Sequence, residues 1–270
     1  LPNGKLLLWS REMPSHEQSE YTYLFNPVTG TYTRGPYFPD LFCSGHAFLT
    51  NGSLLVAGGV GTGAGSFMGY AYRTNTWIQG PTMRGYRYYP TNVPLADGRQ
   101  LILGGGAGEG QENPLPQIWT SEGWQNLTGA VREVPEYAWA MQAPNGKVLM
   151  FGPRERGLYL NVGGVGAWSP FRGTALHVNR IAGSWAMFGS GRILIAGGGL
   201  IPTATAEIID LRYGAPRWRQ TGSMSFPRSD LTLVTLPTGQ VLAIGGNQAR
   251  DTTYGLPHNP DETTRVLAAE

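Results

Sequence analysis

A glycine followed by a short apolar run recurs six times along the 270 residues: Gly4 before Leu6-Leu7-Leu8, Gly52 before Leu54-Leu55-Val56, Gly98 before Leu101-Ile102-Leu103, then Gly146, Gly191 and Gly239. The intervals are 48, 46, 48, 45 and 48 residues. A period of this size means repeated units, each too small to bury its apolar face alone, that stack and share a core. Runs such as Gln240-Val241-Leu242-Ala243-Ile244 are bounded by Thr238-Gly239 and Gly245-Gly246, so their continuous apolar character reads as buried strand rather than helix.

Two all-β architectures have a repeat of this length, the WD40 and the kelch propellers. The units favour kelch. A glycine pair follows the apolar run at Gly58-Gly59, Gly104-Gly105, Gly197-Gly198 and Gly245-Gly246, and no Trp-Asp signature occurs. About 25 residues past the turn an aromatic is expected in a strand, at Tyr32, Trp77, Trp124, Trp168 and Trp218. Glycine permits close backbone approach, and the aromatic is expected to fill the wedge between neighbouring blades. The sequence therefore predicts an all-β, kelch-type β-propeller with six visible repeats. Residues 1–270 are expected to be one propeller domain cut within blades at both ends and belonging to a closed ring of seven, because an unclosed ring exposes strand edges.

Only 14% of the residues are charged and the net charge is +2, so the basic footprint of a nucleic-acid binder is missing. No apolar run approaches the roughly 18 residues of a membrane span. The single cysteine, Cys43, excludes an internal disulfide framework and an all-cysteine metal site. The chain opens Leu1-Pro2-Asn3-Gly4, which reads as a start inside a longer protein in preference to a removed leader.

Counting back nine residues from the turn glycines finds Cys43, Tyr89, Tyr137, Ala182 and Asp230. Equivalent places on inner strands lie at one height around a propeller axis, so the repeat predicts a thiol beside a phenol at one channel mouth, with Tyr137 and Asp230 on the same rim. A one-residue slip would reverse the faces. Taken alone, Cys43 reads as a buried small hydrophobe, and Tyr86, Tyr88 and Tyr89 as blade packing.

Phe42-Cys43-Ser44-Gly45 and, 46 residues from cysteine to tyrosine, Arg87-Tyr88-Tyr89-Pro90-Thr91 resemble the copper radical oxidases, the family of galactose oxidase and glyoxal oxidase. Pro144-Asn145-Gly146-Lys147-Val148, Ile181-Ala182-Gly183-Ser184, Thr205-Ala206-Glu207-Ile208-Ile209-Asp210 and Met224-Ser225-Phe226-Pro227-Arg228 are similar to bacterial members. The resemblance implies that Cys43 and Tyr89 form a thioether-linked radical cofactor, that the Tyr89 oxygen ligates copper, and that Phe42 lines the substrate pocket; the nine-residue register adds Tyr137 and Asp230 around that pocket. It implies oxidation of a small alcohol or aldehyde, carbohydrate-derived ones among them, with dioxygen reduced to hydrogen peroxide, in a secreted protein.

The family's second tyrosine is followed directly by histidine, and this chain has no Tyr-His pair. Its four histidines, His16, His46, His177 and His258, match no ligand motif and read as structural or exposed. Ala107 stands where the galactose oxidase type carries a tryptophan stacked over the linked tyrosine, which turns the resemblance toward glyoxal oxidase. A second function stays open: a non-catalytic kelch propeller binding a protein or glycan, since propellers host unrelated activities.

Two weaker signals are set aside. Gly59-Val60-Gly61-Thr62-Gly63-Ala64 meets the loose dinucleotide fingerprint, but Ser66–Tyr72 reads as a strand, and that site needs a helix N-terminus. Glu133 and Glu136 could be imagined as a glycosidase pair but read as surface acids.

Overall fold

The computed structural model describes residues 1–9, 21–38, 40–61, 65–108, 111–153, 156–177, 179–248 and 269–270. His16, His258 and residues 62–64 of the glycine-rich segment lie outside the described residues. The chain forms two compact units, one of residues 1–138 with 162–167, the other of residues 139–161 with 168–270.

Among the described residues the first unit holds three antiparallel sheets of three or four strands and one two-stranded hairpin. The first has the order β1 (Leu6–Leu8), β2 (Tyr21–Asn26), β3 (Thr31–Tyr37), and the second is β4 (Gly45–Phe48), β5 (Leu54–Ala57), β6 (Phe67–Ala71), β7 (Thr76–Gln79). The third sheet joins β8 (Thr91–Pro94) and β9 (Gln100–Leu103) to β12 (Gln117–Thr120) and β13 (Gly123–Asn126), with a small hairpin of β10 (Gly106–Gly108) and β11 (Gln111–Glu112) inserted between. The second unit holds β14 (Trp139–Gln142) to β17 (Ala167–Thr174) through β15 (Val148–Gly152) and β16 (Arg156–Asn161). It continues with β18 (Ser184–Gly189), β19 (Arg192–Ala196), β20 (Ala206–Asp210) and β21 (Arg219–Gln220), and then the pair β22 (Ser229–Thr235) and β23 (Val241–Asn247). These meandering sheets are the blades of a kelch-type β-propeller, the fold the repeat predicts.

The turn glycines act as the sequence implies. Gly52 has φ +82° and Gly98 φ +87°, and each donates its N–H across a tight turn, to Leu49 O at 2.9 Å and Leu95 O at 2.9 Å. The residue before each glycine locks the turn with its side chain: Asn51 Oδ1 accepts from Ser53 N at 2.9 Å and Asp97 Oδ1 from Arg99 N at 3.1 Å. The strand that follows is buried throughout at β5, β9 and β15.

Aromatics seal neighbouring blades, with two departures from the expected pattern. Trp124 of β13 meets Phe67 of β6 at 4.7 Å between centroids, and in the second unit Trp218 meets Phe151 at 6.1 Å. Trp218, however, lies just before β21 rather than in it. Tyr32 is 65% exposed and, among the described residues, its ring meets Phe25 of its own sheet and no aromatic of another.

Candidate functional site

Cys43, Tyr89, Tyr137, Ala182 and Asp230 share one backbone conformation. All five have left-handed φ, at +63°, +59°, +49°, +57° and +55°. The nine-residue offset thus finds equivalent places, but the expected location on an inner strand needs correcting: Cys43, Tyr89, Tyr137 and Ala182 each sit two residues ahead of the strand that opens the next sheet. Strand alternation does not orient them. Backbone hydrogen bonds from repeat to repeat do, with Tyr89 N–H donating to Cys43 O at 2.8 Å, Tyr137 N–H to Tyr89 O at 3.4 Å and, in the second unit, Asp230 N–H to Ala182 O at 2.7 Å. Because Ala182 shares the conformation, the left-handed turn belongs to the architecture and not to any one side chain's chemistry.

In the first unit this turn gathers a thiol and three phenols. The Tyr89 ring lies between Tyr88, 3.9 Å away between centroids at 50°, and Tyr137, 4.3 Å away at 37°. Tyr88 O–H donates to the Tyr89 oxygen at 2.9 Å. The half-buried Cys43 side chain is a hydrogen-bond partner of both Tyr88 and Tyr89. All three phenols are held well above the ordinary tyrosine range: Tyr88 first by its hydrogen bond to Tyr89, Tyr89 and Tyr137 first by burial. Phe42, next to Cys43 in the chain, and Tyr137, whose ring meets that of Tyr89, keep 36% and 53% of their surface exposed. Asp230 is in the second unit, where its carboxylate accepts from Asn247 Nδ2 at 3.0 Å.

The segment that carries the pair of tyrosines is anchored from below. Arg87 is fully buried, and its guanidinium donates to Gly104 O at 2.6 Å, Leu115 O at 2.5 Å and Gln117 Oε1 at 3.1 Å. Burial pulls its pKa down to about 10. Tyr88 bonds Gly106 in both directions, N–H to O at 3.0 Å and O from N–H at 2.6 Å. A Cβ on Gly105 would come within 3.0 Å of Tyr88 O and Pro90 N, so glycine is required where this segment crosses the end of β9.

Sequence reasoning missed this arginine and its two counterparts. Arg180 and Arg228 are equally buried, and each donates to the carbonyl 17 residues on, Gly197 O at 2.9 Å and Gly245 O at 2.8 Å. Their acidic partners are Glu207 at 2.8 Å and Glu270 at 2.5 Å, where the first unit has Gln117. The signal was present: Arg87, Arg180 and Arg228 each stand eleven residues before a turn glycine. Arginine is ordinarily a surface residue, which is why periodic arginines did not read as core.

The remaining expectations divide. His46 is exposed, edge-on to Trp9 at 5.4 Å, and the His177 backbone N–H donates to Glu207 Oε1 at 3.0 Å. Glu133 is exposed as expected, but Glu136 is half-buried and its carboxyl is pushed up by that burial. Phe67–Ala71 is a strand, so the glycine-rich segment before it meets no helix. No helix among the described residues is long and apolar enough to cross a membrane.

No family model matches the chain. Two galactose oxidases of Gibberella zeae are each 26% identical to it over 314 residues, covering 99% of this chain and 43% of their own length. A solved structure described as a novel fungal alcohol oxidase with catalytic diversity among the AA5 family, in complex with copper, superposes with a TM-score of 0.78 at 23% identity, over 91% of this chain and 57% of that one. The chain is similar to galactose oxidases in sequence and to a fungal copper alcohol oxidase in fold. It spans less than half the length of the curated relatives it matches.

The donor set tests the fit of the two groups this relationship suggests. A thioether between Cys43 and Tyr89 needs a thiol beside a phenol, and the Cys43 side chain is a hydrogen-bond partner of the Tyr89 side chain. Copper(II) favours several nitrogen and oxygen ligands in a tetragonal arrangement. The cluster offers phenol oxygens and one sulfur with no imidazole, and no group of three His, Cys, Asp or Glu side chains occurs among the described residues. These residues do not make a copper site by themselves.

Proposed function

We propose that this chain is the kelch-propeller portion of a copper radical oxidase and that Cys43 and Tyr89 are its thioether-linked redox cofactor. The observation that carries this reading is the Cys43 side chain held as a hydrogen-bond partner of the Tyr89 phenol by equivalent left-handed turns of consecutive repeats. Forming the link breaks the S–H bond and one ring C–H bond ortho to the hydroxyl and makes one S–C bond. Two electrons and two protons leave and reduce dioxygen to hydrogen peroxide. Sulfur beside the phenol oxygen delocalises an unpaired electron, so the Tyr89 ring can store one oxidising equivalent. Copper, with the Tyr89 oxygen as one ligand and its other ligands from residues outside this cluster, would supply the second.

The substrate class in this reading is a small alcohol, or a small aldehyde as its hydrate, which loses two electrons and two protons to become the aldehyde or the acid while dioxygen becomes hydrogen peroxide. Exposed aromatic surface at Phe42 and Tyr137 gives such a molecule an apolar approach to Tyr89. Ala107 in β10 in place of a tryptophan favours the glyoxal oxidase type over a galactose substrate. As a member of that group the protein is expected to be secreted. One other reading is a binding propeller in which the pair stays unlinked, since among the described residues no group of three His, Cys, Asp or Glu side chains that could hold a metal ion occurs.

Cys43→Ala decides between them. Replacing a half-buried thiol by a methyl group costs on the order of 1 kcal/mol, so the fold survives. In the copper-loaded protein containing this chain, aldehyde or alcohol oxidation, read as hydrogen peroxide production, is expected to fall by orders of magnitude. Undiminished oxidation by the variant would remove the cofactor reading, and absence of oxidation from wild type and variant alike would favour the binding propeller.

A further inference from the structure

Resting on the thioether reading, we propose that Tyr88 is a positioning residue of the same site: its hydroxyl holds the Tyr89 oxygen and raises the potential at which the Tyr89 ring gives up an electron. Successive side chains of an extended strand point to opposite faces. Tyr89 breaks that alternation with φ +59°, and its ring turns back onto that of its neighbour, with 3.9 Å between centroids. The contact brings a donor to the one atom on which the chemistry depends, Tyr88 O–H to Tyr89 O at 2.9 Å.

The donor is fixed rather than wandering. Its backbone is bonded in both directions to Gly106, the preceding Arg87 is buried with its guanidinium bonded to two carbonyls and Gln117, and Gly105 packs under the peptide. A phenolate oxygen has lone pairs for both a ligand bond and one accepted hydrogen bond. A hydrogen bond to an ionised oxygen is stronger than one to a neutral oxygen. Burial keeps Tyr89 protonated until its oxygen is taken as a ligand in place of that proton; Tyr88 would then stabilise the resulting phenolate more than the neutral phenoxyl that forms when one electron leaves. No proton leaves Tyr88 in that step, so the hydroxyl acts through Tyr89 and touches no reacting bond.

The test uses the protein containing this chain, treated with copper(II) and dioxygen, as wild type, Tyr88→Phe, and Tyr86→Phe, whose ring is 60% exposed. Peptide mass gives the extent of the Cys43–Tyr89 link. Titration with a one-electron outer-sphere oxidant such as hexachloroiridate then gives the midpoint of the linked phenoxyl/phenolate couple. Electron–nuclear double resonance in H2O and D2O reads exchangeable protons on the radical oxygen. In Tyr88→Phe the link is expected to form, the midpoint to fall by about 59 mV, a tenfold change for a one-electron couple, and an exchangeable-proton coupling present in wild type to disappear. Tyr86→Phe is expected to behave as wild type. A linked Tyr88→Phe protein with an unchanged midpoint and coupling overturns the proposal while leaving the cofactor reading intact. Failure of the link in Tyr88→Phe alone assigns Tyr88 to assembly of the link and overturns the tuning role. No link in wild type overturns the cofactor reading, and this proposal with it.

Discussion

Arg180→Met should be among the most damaging single substitutions in the second unit. The guanidinium is 1% exposed and donates to Gly197 O at 2.9 Å, Thr205 O at 3.1 Å, Thr205 Oγ1 at 3.0 Å and Glu207 Oε1 at 2.8 Å. Glu207 is 2% exposed, and without the arginine its charge would keep, among the described residues, the backbone N–H groups of Leu176 and His177 as donors. Removing one member of a buried pair costs about 3–5 kcal/mol because the other charge is stranded, and those two N–H groups put this case toward the lower end. Glu207→Gln should cost less, about 1.5–3 kcal/mol, the range of a lost hydrogen bond to a charged group, because the first unit already pairs its equivalent Arg87 with Gln117 at 3.1 Å. Arg180→Met combined with Glu207→Leu should recover part of the loss, since no charge is then left unpaired. Urea unfolding followed by tryptophan fluorescence, with hydrogen exchange at the β19 amides to report on this unit, measures all three. A loss below about 1 kcal/mol for Arg180→Met, or a double variant less stable than that single one, would refute the stranded-charge argument.

Three other outcomes follow from the same geometry. Ala182→Gly removes the left-handed penalty of roughly 1–2 kcal/mol and adds roughly 0.5–1 kcal/mol of chain entropy cost, so thermal unfolding should show a net gain of about 0.5–1 kcal/mol, whereas Ala182→Val should destabilise. Tyr88, Tyr89 and Tyr137 are held protonated above the usual range; above about pH 10 the unfolded chain gives up those protons first, so stability present below that pH is lost as pH rises. Chemical denaturation between pH 9 and about 12 should show that decline, shallower in Tyr88→Phe, which has one such phenol fewer. The tag-free chain of residues 1–270 should retain well under one equivalent of copper(II) after dialysis, because its cysteine–tyrosine cluster has no nitrogen ligand; stoichiometric tight binding would reveal a site outside that cluster.

The fold was legible because its punctuation is local. Gly52 and Gly98 mark turns that need positive φ, and the apolar runs after them are too short and too bounded to be anything but strands. The offset that grouped Cys43 with Tyr89 was legible too, but its conformation was not. Cysteine, tyrosine, alanine and aspartate share no preference for left-handed φ, and there the backbone follows hydrogen bonds from the neighbouring repeat, such as Tyr89 N–H to Cys43 O. Tyr88 stayed invisible for the same reason, because strand alternation would have pointed it away from Tyr89. The buried arginines were periodic in plain view but masked by the residue type's usual place at the surface.

The most direct test of the account is the covalent state of Cys43. After the copper-free protein containing this chain is exposed to copper(II) and dioxygen, proteolysis and mass spectrometry should find the peptides of Cys43 and Tyr89 joined, with the mass of their sum less two hydrogens, and fragmentation should locate the bond between the sulfur and the Tyr89 ring. Separate peptides with a free Cys43 thiol, in protein shown to have bound copper, would contradict it.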